Sequence, residues 1–135
     1  MIIFMDIQKN ELPKISESEW EVMDVLWKDS PQTSHQIISH LSRKDWSPKT
    51  VKTLIHRLEK KGLLSHEKGR REHLYQPLFN KDLYVTKESR SFVKKLFDGA
   101  TAPMIAHFIE NQKLSKDELG EIKKLIASME ENKND

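Results

Sequence analysis

The fold of this chain is decided by residues 46–62, which read WSPKTVKTLIHRLEKKG. Ser47 stands where an N-cap is expected, and Pro48 follows at the first helical position, where its missing N–H group costs nothing. Gly62 comes after two lysines and is the residue type that most often ends a helix. Between these signals, apolar side chains recur at the spacing of one helix face: Val51, Leu54, Ile55 and Leu58. The stretch therefore predicts a helix with one apolar and one polar face.

Two shorter helices are predicted before this stretch. Ser16 and Glu19 have the S-x-x-E spacing of a capping box, and apolar residues at helical intervals follow them. This pattern predicts a first helix over residues 17–28. After an Asp-Ser-Pro break, Thr33 or Ser34 can cap a second short helix. The stretch quoted above is then the third helix of the chain.

A β-hairpin is predicted directly after the third helix. Residues 63–67 and 72–78 are short extended runs, and they flank residues 68–71, a polar turn that contains a glycine. The order helix, helix, helix, hairpin is that of a winged helix-turn-helix domain, here over residues 12–79. We therefore predict a mostly α-helical protein with a small β-hairpin wing.

An all-helical second domain is predicted over residues 80–130. Its pattern indicates three helices: one from about Lys81 to Gly99, one opened by Pro103, and one behind a capping box of Ser115 and Glu118. Helices this short cannot bury all their apolar side chains against one another, whereas a second copy of the chain can bury the remainder. The alternative is packing against the winged domain of the same chain. The residues predicted to form a homodimer are Phe92, Leu96, Ile105, Phe108, Ile109, Ile122 and Ile126.

The charge of the chain is concentrated in one block, although the net formal charge is only +2. Residues 1–42 carry 3 Lys and Arg against 7 Asp and Glu, residues 43–73 carry 10 against 4, and residues 74–135 carry 10 against 10. A cationic block is the electrostatic footprint expected where a polyphosphate docks, although solvated basic faces are common too. The block coincides with the third helix and the hairpin, which favours a nucleic acid as partner.

The polar face of the third helix has the chemistry that a DNA major groove requires. The groove admits one helix, whose short side chains can approach base edges while long basic ones reach phosphates. The hairpin turn suits phosphate contact or minor-groove insertion, and the connection before the third helix can bracket the other strand. The alternative is an ordinary solvated lysine face. The residues predicted to contact double-stranded DNA are Arg43, Lys44, Ser47, Lys49, Thr50, Lys52, Thr53, His56, Arg57, Lys60, Lys68, Arg70 and Arg71.

A family resemblance appears in the same region. Residues 44–62 closely resemble the recognition helix of the BlaI/MecI-type penicillinase repressors, and residues 15–23 with Leu26 and Trp27 are similar to their first helix. The resemblance continues loosely through the C-terminal helices. It implies a homodimeric transcriptional repressor that binds pseudo-palindromic operators through a winged helix and dimerises through its C-terminal helices.

The resemblance also bears on regulation. In antibiotic-sensing members, repression ends when the repressor is cleaved within an Asn-Phe pair of its C-terminal domain, after a membrane sensor-protease detects a β-lactam. The aligned pair in this chain is His107-Phe108, so the asparagine is missing. Phe108 also lies on the apolar stripe, where a place in a dimer core explains it. Two alternatives therefore stay open. Repression is relieved by cleavage at this pair, with a sensor-protease as partner, or Phe108 serves only in the dimer core.

Several function classes are disfavoured by what the sequence lacks. It has no cysteine, which excludes disulfides and thiolate catalysis and fits a reducing compartment, so we expect a cytoplasmic protein. No apolar run is long enough to span a membrane, and no glycine-rich phosphate loop occurs. Six histidines include His66 and His73 on facing strands, but a pair without a third ligand is a weak metal site. We expect no cofactor, no metal and no enzymatic activity.

Two other classes of function compete with a repressor. A winged helix can serve as a protein-protein adaptor whose basic face docks an acidic partner. This hypothesis predicts that the protein does not prefer a palindrome over random duplex. A small hydrolase would require a convergent polar pocket, and no Ser/His/Asp set has a suitable local context.

Overall fold

A computed structural model describes residues 12–134 in two compact units, one extending to Glu88 and the other beginning at Ser89. The first unit contains α1 (Glu17–Lys28), α2 (Ser34–His40), a 3₁₀ turn (Ser42–Lys44), α3 (Pro48–Lys60), β1 (Leu64–Lys68) and β2 (His73–Pro77). Helix α4 (Lys81–Phe97) begins in the first unit and ends in the second, which also contains α5 (Thr101–Asn111) and α6 (Lys116–Asn134). This order confirms the predicted mostly helical, winged helix-turn-helix class.

The starts of α1 and α2 are fixed by local hydrogen bonds. The Ser16 hydroxyl accepts from the backbone N–H of Glu19 at 3.1 Å, and the Glu19 carboxylate accepts from the backbone N–H of Ser16 at 2.9 Å. Thr33 and Gln36 form the same reciprocal box before α2, so Thr33 rather than Ser34 is its cap. The predicted capping box is confirmed because both partners lie within one turn of helix.

The end of α3 is a Schellman motif. Gly62 adopts a φ of 83°, a left-handed conformation that favours glycine. Its N–H donates to the carbonyl of Glu59 at 3.0 Å, and the N–H of Leu63 donates to the carbonyl of Leu58 at 2.9 Å. The buried Leu58 and Leu63 then carry the chain directly from α3 into β1.

The core of the first unit is built from the inner faces of its helices. The predicted apolar face of α3 is confirmed, since all four of its residues are buried. Glu19 and Gln32 are the buried polar residues among those described. The buried apolar side chains are Leu12, Val22, Met23, Leu26, Ile37, Leu41, Val51, Leu54, Ile55, Leu58, Leu63, Leu64, Phe79 and Tyr84.

The wing is an antiparallel hairpin with one additional backbone partner. Its register pairs Leu64 with Pro77 and Lys68 with His73. Gln32, between α1 and α2, also pairs with Tyr75: Gln32 N–H donates to Tyr75 at 3.0 Å, and Tyr75 N–H donates back at 2.8 Å. This bridge fastens β2 to the segment before α2, and sequence periodicity gave no sign of it.

The beginning of α4 is held within the first unit. The Tyr84 hydroxyl donates to the carbonyl of Pro13 at 2.8 Å, and the Trp27 indole donates to the carbonyl of Phe79 at 2.9 Å. Burial, together with the nearby Glu88 carboxylate, raises the pKa of Tyr84 to about 12. The phenol therefore remains a neutral hydrogen-bond donor at physiological pH.

The two helices that lie wholly in the second unit, α5 and α6, begin in different ways. Helix α5 begins at Thr101, two residues before the predicted start at Pro103; a proline is tolerated there because N–H groups of the first turn need no helical partner. The Ser115 hydroxyl caps α6 by accepting from the N–H of Glu118 at 3.1 Å. The Glu118 carboxylate accepts from the same hydroxyl at 3.4 Å rather than from the Ser115 backbone N–H, so only half of the predicted capping box is formed. No helix in the described part of the chain combines the length and apolar character needed to cross a membrane.

Candidate nucleic-acid interface

The start of α3 is built by two small hydroxyl side chains. Ser47 is its N-cap, and the Ser47 hydroxyl accepts from the backbone N–H of Thr50 at 3.1 Å. The two hydroxyl oxygens are 3.0 Å apart and share a hydrogen bond. Pro48 occupies the first turn as predicted. Ser47 and Thr50 are both exposed, but their hydrogen-bonding groups already serve the helix start.

The outer face of α3, defined by Lys49, Lys52, Thr53 and His56, lines a shallow open depression. All four side chains are exposed, while the opposite side of the helix is buried in the core. Arg57 and Lys60 are exposed as well. None of these lysines and arginines makes an ion pair with any side chain of the described residues, so their charges are available to phosphates.

Thr53 differs from its basic neighbours because its hydroxyl is already engaged. The hydroxyl donates to the backbone carbonyl of Lys49 at 2.9 Å, one helical turn earlier. The His56 ring, by contrast, has no hydrogen-bond partner among the described side chains and backbone groups. The outer face therefore combines a free imidazole, free ammonium groups and one hydroxyl turned back onto the helix.

The connection before α3 contains the two other predicted cations of this region. Arg43 and Lys44 lie in the 3₁₀ turn, and both are exposed. The Lys44 ammonium is 3.2 Å from the carboxylate of Glu21 on α1. Arg43 is therefore the better placed of the two to meet a phosphate, because the charge of Lys44 is already partly matched.

The wing turn presents three exposed cations, Lys68, Arg70 and Arg71. Gly69 closes this turn through an N–H that donates to the carbonyl of Glu72 at 2.9 Å. A Cβ at position 69 would lie 2.5 Å from that same carbonyl oxygen, closer than real Cβ atoms come. The turn therefore requires glycine because the backbone passes too close for any side chain.

Histidines connect the wing to the helices beside it. His66 on β1 contacts the carboxylate of Glu59 on α3, and its ring stacks on His73 with centroids 4.1 Å apart. His35 on α2 is 3.6 Å from the carboxylate of Glu72 in the wing turn. The predicted proximity of His66 and His73 is confirmed. Across the described residues, no three His, Cys, Asp or Glu side chains are grouped in a way that could hold a metal ion.

Lys61 follows α3 but does not join its outer face. Its ammonium donates to the carboxylate of Glu19 at 2.6 Å and to the carbonyl of Lys14 at 2.9 Å. Burial raises the pKa of Glu19, but the Lys61 ammonium and the backbone N–H of Ser16 outweigh it and lower the pKa below its ordinary value of 4.5. Sequence reasoning missed this pair because 42 positions separate the two residues.

The second unit leaves apolar side chains exposed on all three helices. Leu96 is 57% exposed and Ile126 is 50% exposed, and Phe92, Ile105 and Ile109 are exposed too. The other two residues predicted for dimerisation, Phe108 and Ile122, are half-buried.

The aligned cleavage pair lies inside α5. His107 is followed one turn later by Asn111, whose amide donates to the His107 carbonyl at 3.0 Å. The Phe108 ring lies 6.3 Å from that of Phe92. The peptide bond between His107 and Phe108 is therefore part of a regular helix, next to an aromatic contact.

Comparisons with known proteins identify relatives of this chain. Residues 15–128 match the family model described as penicillinase repressor. The chain is 38% identical over 125 residues to the penicillinase repressor of Bacillus licheniformis, covering 92% of this chain and 95% of that protein. It is 35% identical over 118 residues to the methicillin resistance regulatory protein MecI of Staphylococcus aureus (strain N315), covering 87% and 96%.

Among solved structures, the solution structure of the monomeric form of Bacillus licheniformis BlaI in complex with the blaP half-operator is similar to part of this chain. The sequence identity is 43% and the TM-score is 0.48. The match covers 54% of this chain and 90% of that one.

Proposed function

The chain belongs to the penicillinase repressor family of DNA-binding transcriptional repressors, and we propose that it represses transcription by placing α3 in the major groove of an operator. The observation that carries this proposal is the outer face of α3. Lys49, Lys52 and His56 are exposed there with no side-chain hydrogen bond or ion pair to any described residue, on a helix whose other side is buried. A rigid helix with free cations on one side is what groove insertion requires.

The wing supplies a second contact in this proposal. Arg70 and Arg71 project from a turn whose shape depends on Gly69. Cations on such a turn can meet the backbone or the minor groove beside the site that α3 occupies. These contacts position the protein on the duplex and carry no sequence information, so specificity falls to α3.

We also propose that the protein acts as a homodimer. Exposed apolar side chains such as Leu96 and Ile126 leave the second unit with surface that another copy can cover. A two-fold dimer carries two α3 helices and matches a pseudo-palindromic operator whose half-sites lie one turn of DNA apart, or a multiple of it. Joining two half-site readers raises the apparent affinity by roughly 10² to 10⁴ when both engage.

The proposal places the protein in the cytoplasm with its DNA, and we expect no enzymatic activity. Release by a membrane sensor-protease, as in antibiotic-sensing relatives, would require a protease to reach the bond between His107 and Phe108. That bond lies within α5, so the helix has to open locally before an extended chain can enter a protease. Release by cleavage at this bond is therefore coupled to the stability of α5.

Competition binding tests the proposed function. A labelled dyad operator, found by mapping the genomic sites that the protein occupies, is bound by the purified protein and challenged with unlabelled operator or random duplex. The proposal predicts that the operator competes at least ~10³-fold better than random duplex. Equal competition would contradict it and would favour the adaptor, whose basic face docks an acidic protein.

A further inference from the structure

We propose that Thr53 reads a thymine through its methyl group, while its hydroxyl is bonded to its own helix and donates to no base. This inference rests on the proposed function, since it concerns the same surface of α3. It pairs Thr53 of the outer face with one chemical group of the operator, the C5 methyl of thymine.

The hydrogen bond between Thr53 and Lys49 is the first step. A threonine hydroxyl has a single proton to donate, and here that proton points to the carbonyl of Lys49, 2.9 Å away within the same helix. Thr53 therefore has no donor left for the N7, O6 or O4 acceptors of a base edge. It cannot recognise guanine, adenine or the thymine carbonyl by donating a hydrogen bond from this hydroxyl.

The side-chain direction is the second step. A threonine in a helix has two staggered χ1 positions that bring its hydroxyl to the carbonyl one turn earlier. In both positions the oxygen is held against the backbone, and the methyl is the branch at Cβ that makes no hydrogen bond. Thr53 is exposed and lines the depression of the outer face, so its methyl is an apolar group beside two lysines and a histidine.

The composition of the major groove supplies the third step. Thymine alone places an apolar group, its C5 methyl, at the groove surface, and threonine methyls are among the groups known to pack against it. Ser47 has no methyl group, and Thr50, whose hydroxyl is bonded to Ser47, does not line the depression that Thr53 lines. The ammonium groups of Lys49 and Lys52, which line the same depression as Thr53, can hold the DNA backbone while the methyl meets the base.

The test replaces the thymine methyl and the threonine groups separately. Each thymine of the mapped operator is changed in turn to deoxyuridine, which lacks only the C5 methyl. These duplexes are titrated with the native protein, with Thr53→Val, which keeps a methyl but has no hydroxyl, and with Thr53→Ser, which keeps the hydroxyl but has no methyl. Because position 53 is exposed, all three proteins are expected to fold, and circular dichroism with urea unfolding checks this.

A single deoxyuridine at a contacted thymine is expected to weaken native binding by roughly fourfold, the effect of burying one methyl-sized group. Thr53→Val should show the same loss, while Thr53→Ser should bind thymine and deoxyuridine operators equally. Native binding that is insensitive to every deoxyuridine would overturn the inference. So would a Thr53→Val protein that loses the discrimination while Thr53→Ser keeps it, because the hydroxyl would then be the reading group.

Failure of the proposed function gives a different result. A protein that does not bind DNA yields no mapped operator and no preference over random duplex. A wrong assignment of Thr53 leaves that preference intact, and the deoxyuridine effect is then either absent or retained by Thr53→Ser.

Discussion

The ammonium of Lys61 donates a 2.6 Å hydrogen bond to the carboxylate of Glu19, joining the end of α3 to the beginning of α1. Glu19 is only 2% exposed, so this carboxylate has lost most of its contact with water. A buried carboxylate needs a charged or hydrogen-bonded partner to remain ionised. Lys61 supplies that partner, and in doing so it ties the helix proposed to enter DNA to the helix behind it.

Lys61→Ala is expected to destabilise the protein by about 2 kcal/mol, because it leaves a buried acceptor without its charged donor. Urea unfolding followed by circular dichroism measures the change. The matched control is Lys60→Ala, whose exposed side chain has no ion pair in the described structure and should change stability by less than ~0.5 kcal/mol. Equal effects from the two variants would contradict the role assigned to Lys61.

Stability should also depend on pH through Glu19. Folding lowers the pKa of this carboxyl, so its contribution is present above its ordinary value of 4.5 and is lost as pH falls through the lowered value. Glu19→Gln is expected to be less stable than the native protein at pH 7, and the difference should shrink by pH 3. Burial raises the pKa of Asp24, but Lys81 and Lys28 outweigh burial and lower it. Asp24 is present in both proteins, so its titration does not contribute to the difference between them. A difference that stays constant from pH 7 to pH 3 would refute this role of Glu19.

The helix boundaries were accessible from the sequence because their signals are local. Ser16, Ser47 and Gly62 each act within a single turn, and the apolar period of α3 identified the buried face. The residues of α3 outside this apolar period were predicted to form its exposed face. The predicted DNA contacts of α3 accordingly all lie at the surface.

The contacts between particular side chains of different elements could not be predicted from the sequence in the same way. The pairings of Lys61 with Glu19, of Lys44 with Glu21 and of Gln32 with Tyr75 depend on how elements pack, and no period records them. The bond from Thr53 to Lys49 is local, yet a threonine on a helix surface has two rotamers that can reach a carbonyl and one that cannot. Composition and spacing do not choose among them.

Gly69→Ala should distort the wing, because its Cβ would lie 2.5 Å from the carbonyl oxygen of Glu72. We expect weaker binding to operator and random duplex alike, measured by fluorescence anisotropy, with the helical circular dichroism unchanged. Gly120→Ala is the control, since a Cβ there meets nothing within 4 Å. It should stabilise α6 by about 0.5 to 1 kcal/mol without affecting DNA binding. Unchanged binding by Gly69→Ala would remove the wing from the interface.

Placing a charge on the exposed apolar surface of the second unit should prevent dimerisation. Leu96→Lys with Ile126→Lys is expected to shift sedimentation to that of a monomer and to lower affinity for a full operator by roughly 10² or more, while half-site binding stays the same. Ser91→Lys adds the same charge at an exposed polar position of α4 and should leave the oligomeric state unchanged. A charged double variant that still sediments as a dimer would place the interface elsewhere.

The salt dependence of operator binding tests most directly whether the cations of α3 and the wing meet DNA phosphates. Between ~50 and ~200 mM salt, 6 to 10 phosphate contacts should reduce Kobs by about 10³ or more. Lys52→Ala should lower the slope of log Kobs against log salt by about 1, and Lys123→Ala on α6 should leave it unchanged. We predict a steep slope that is reduced by Lys52→Ala and not by Lys123→Ala. A binding constant that hardly changes with salt would show that these cations do not meet phosphates.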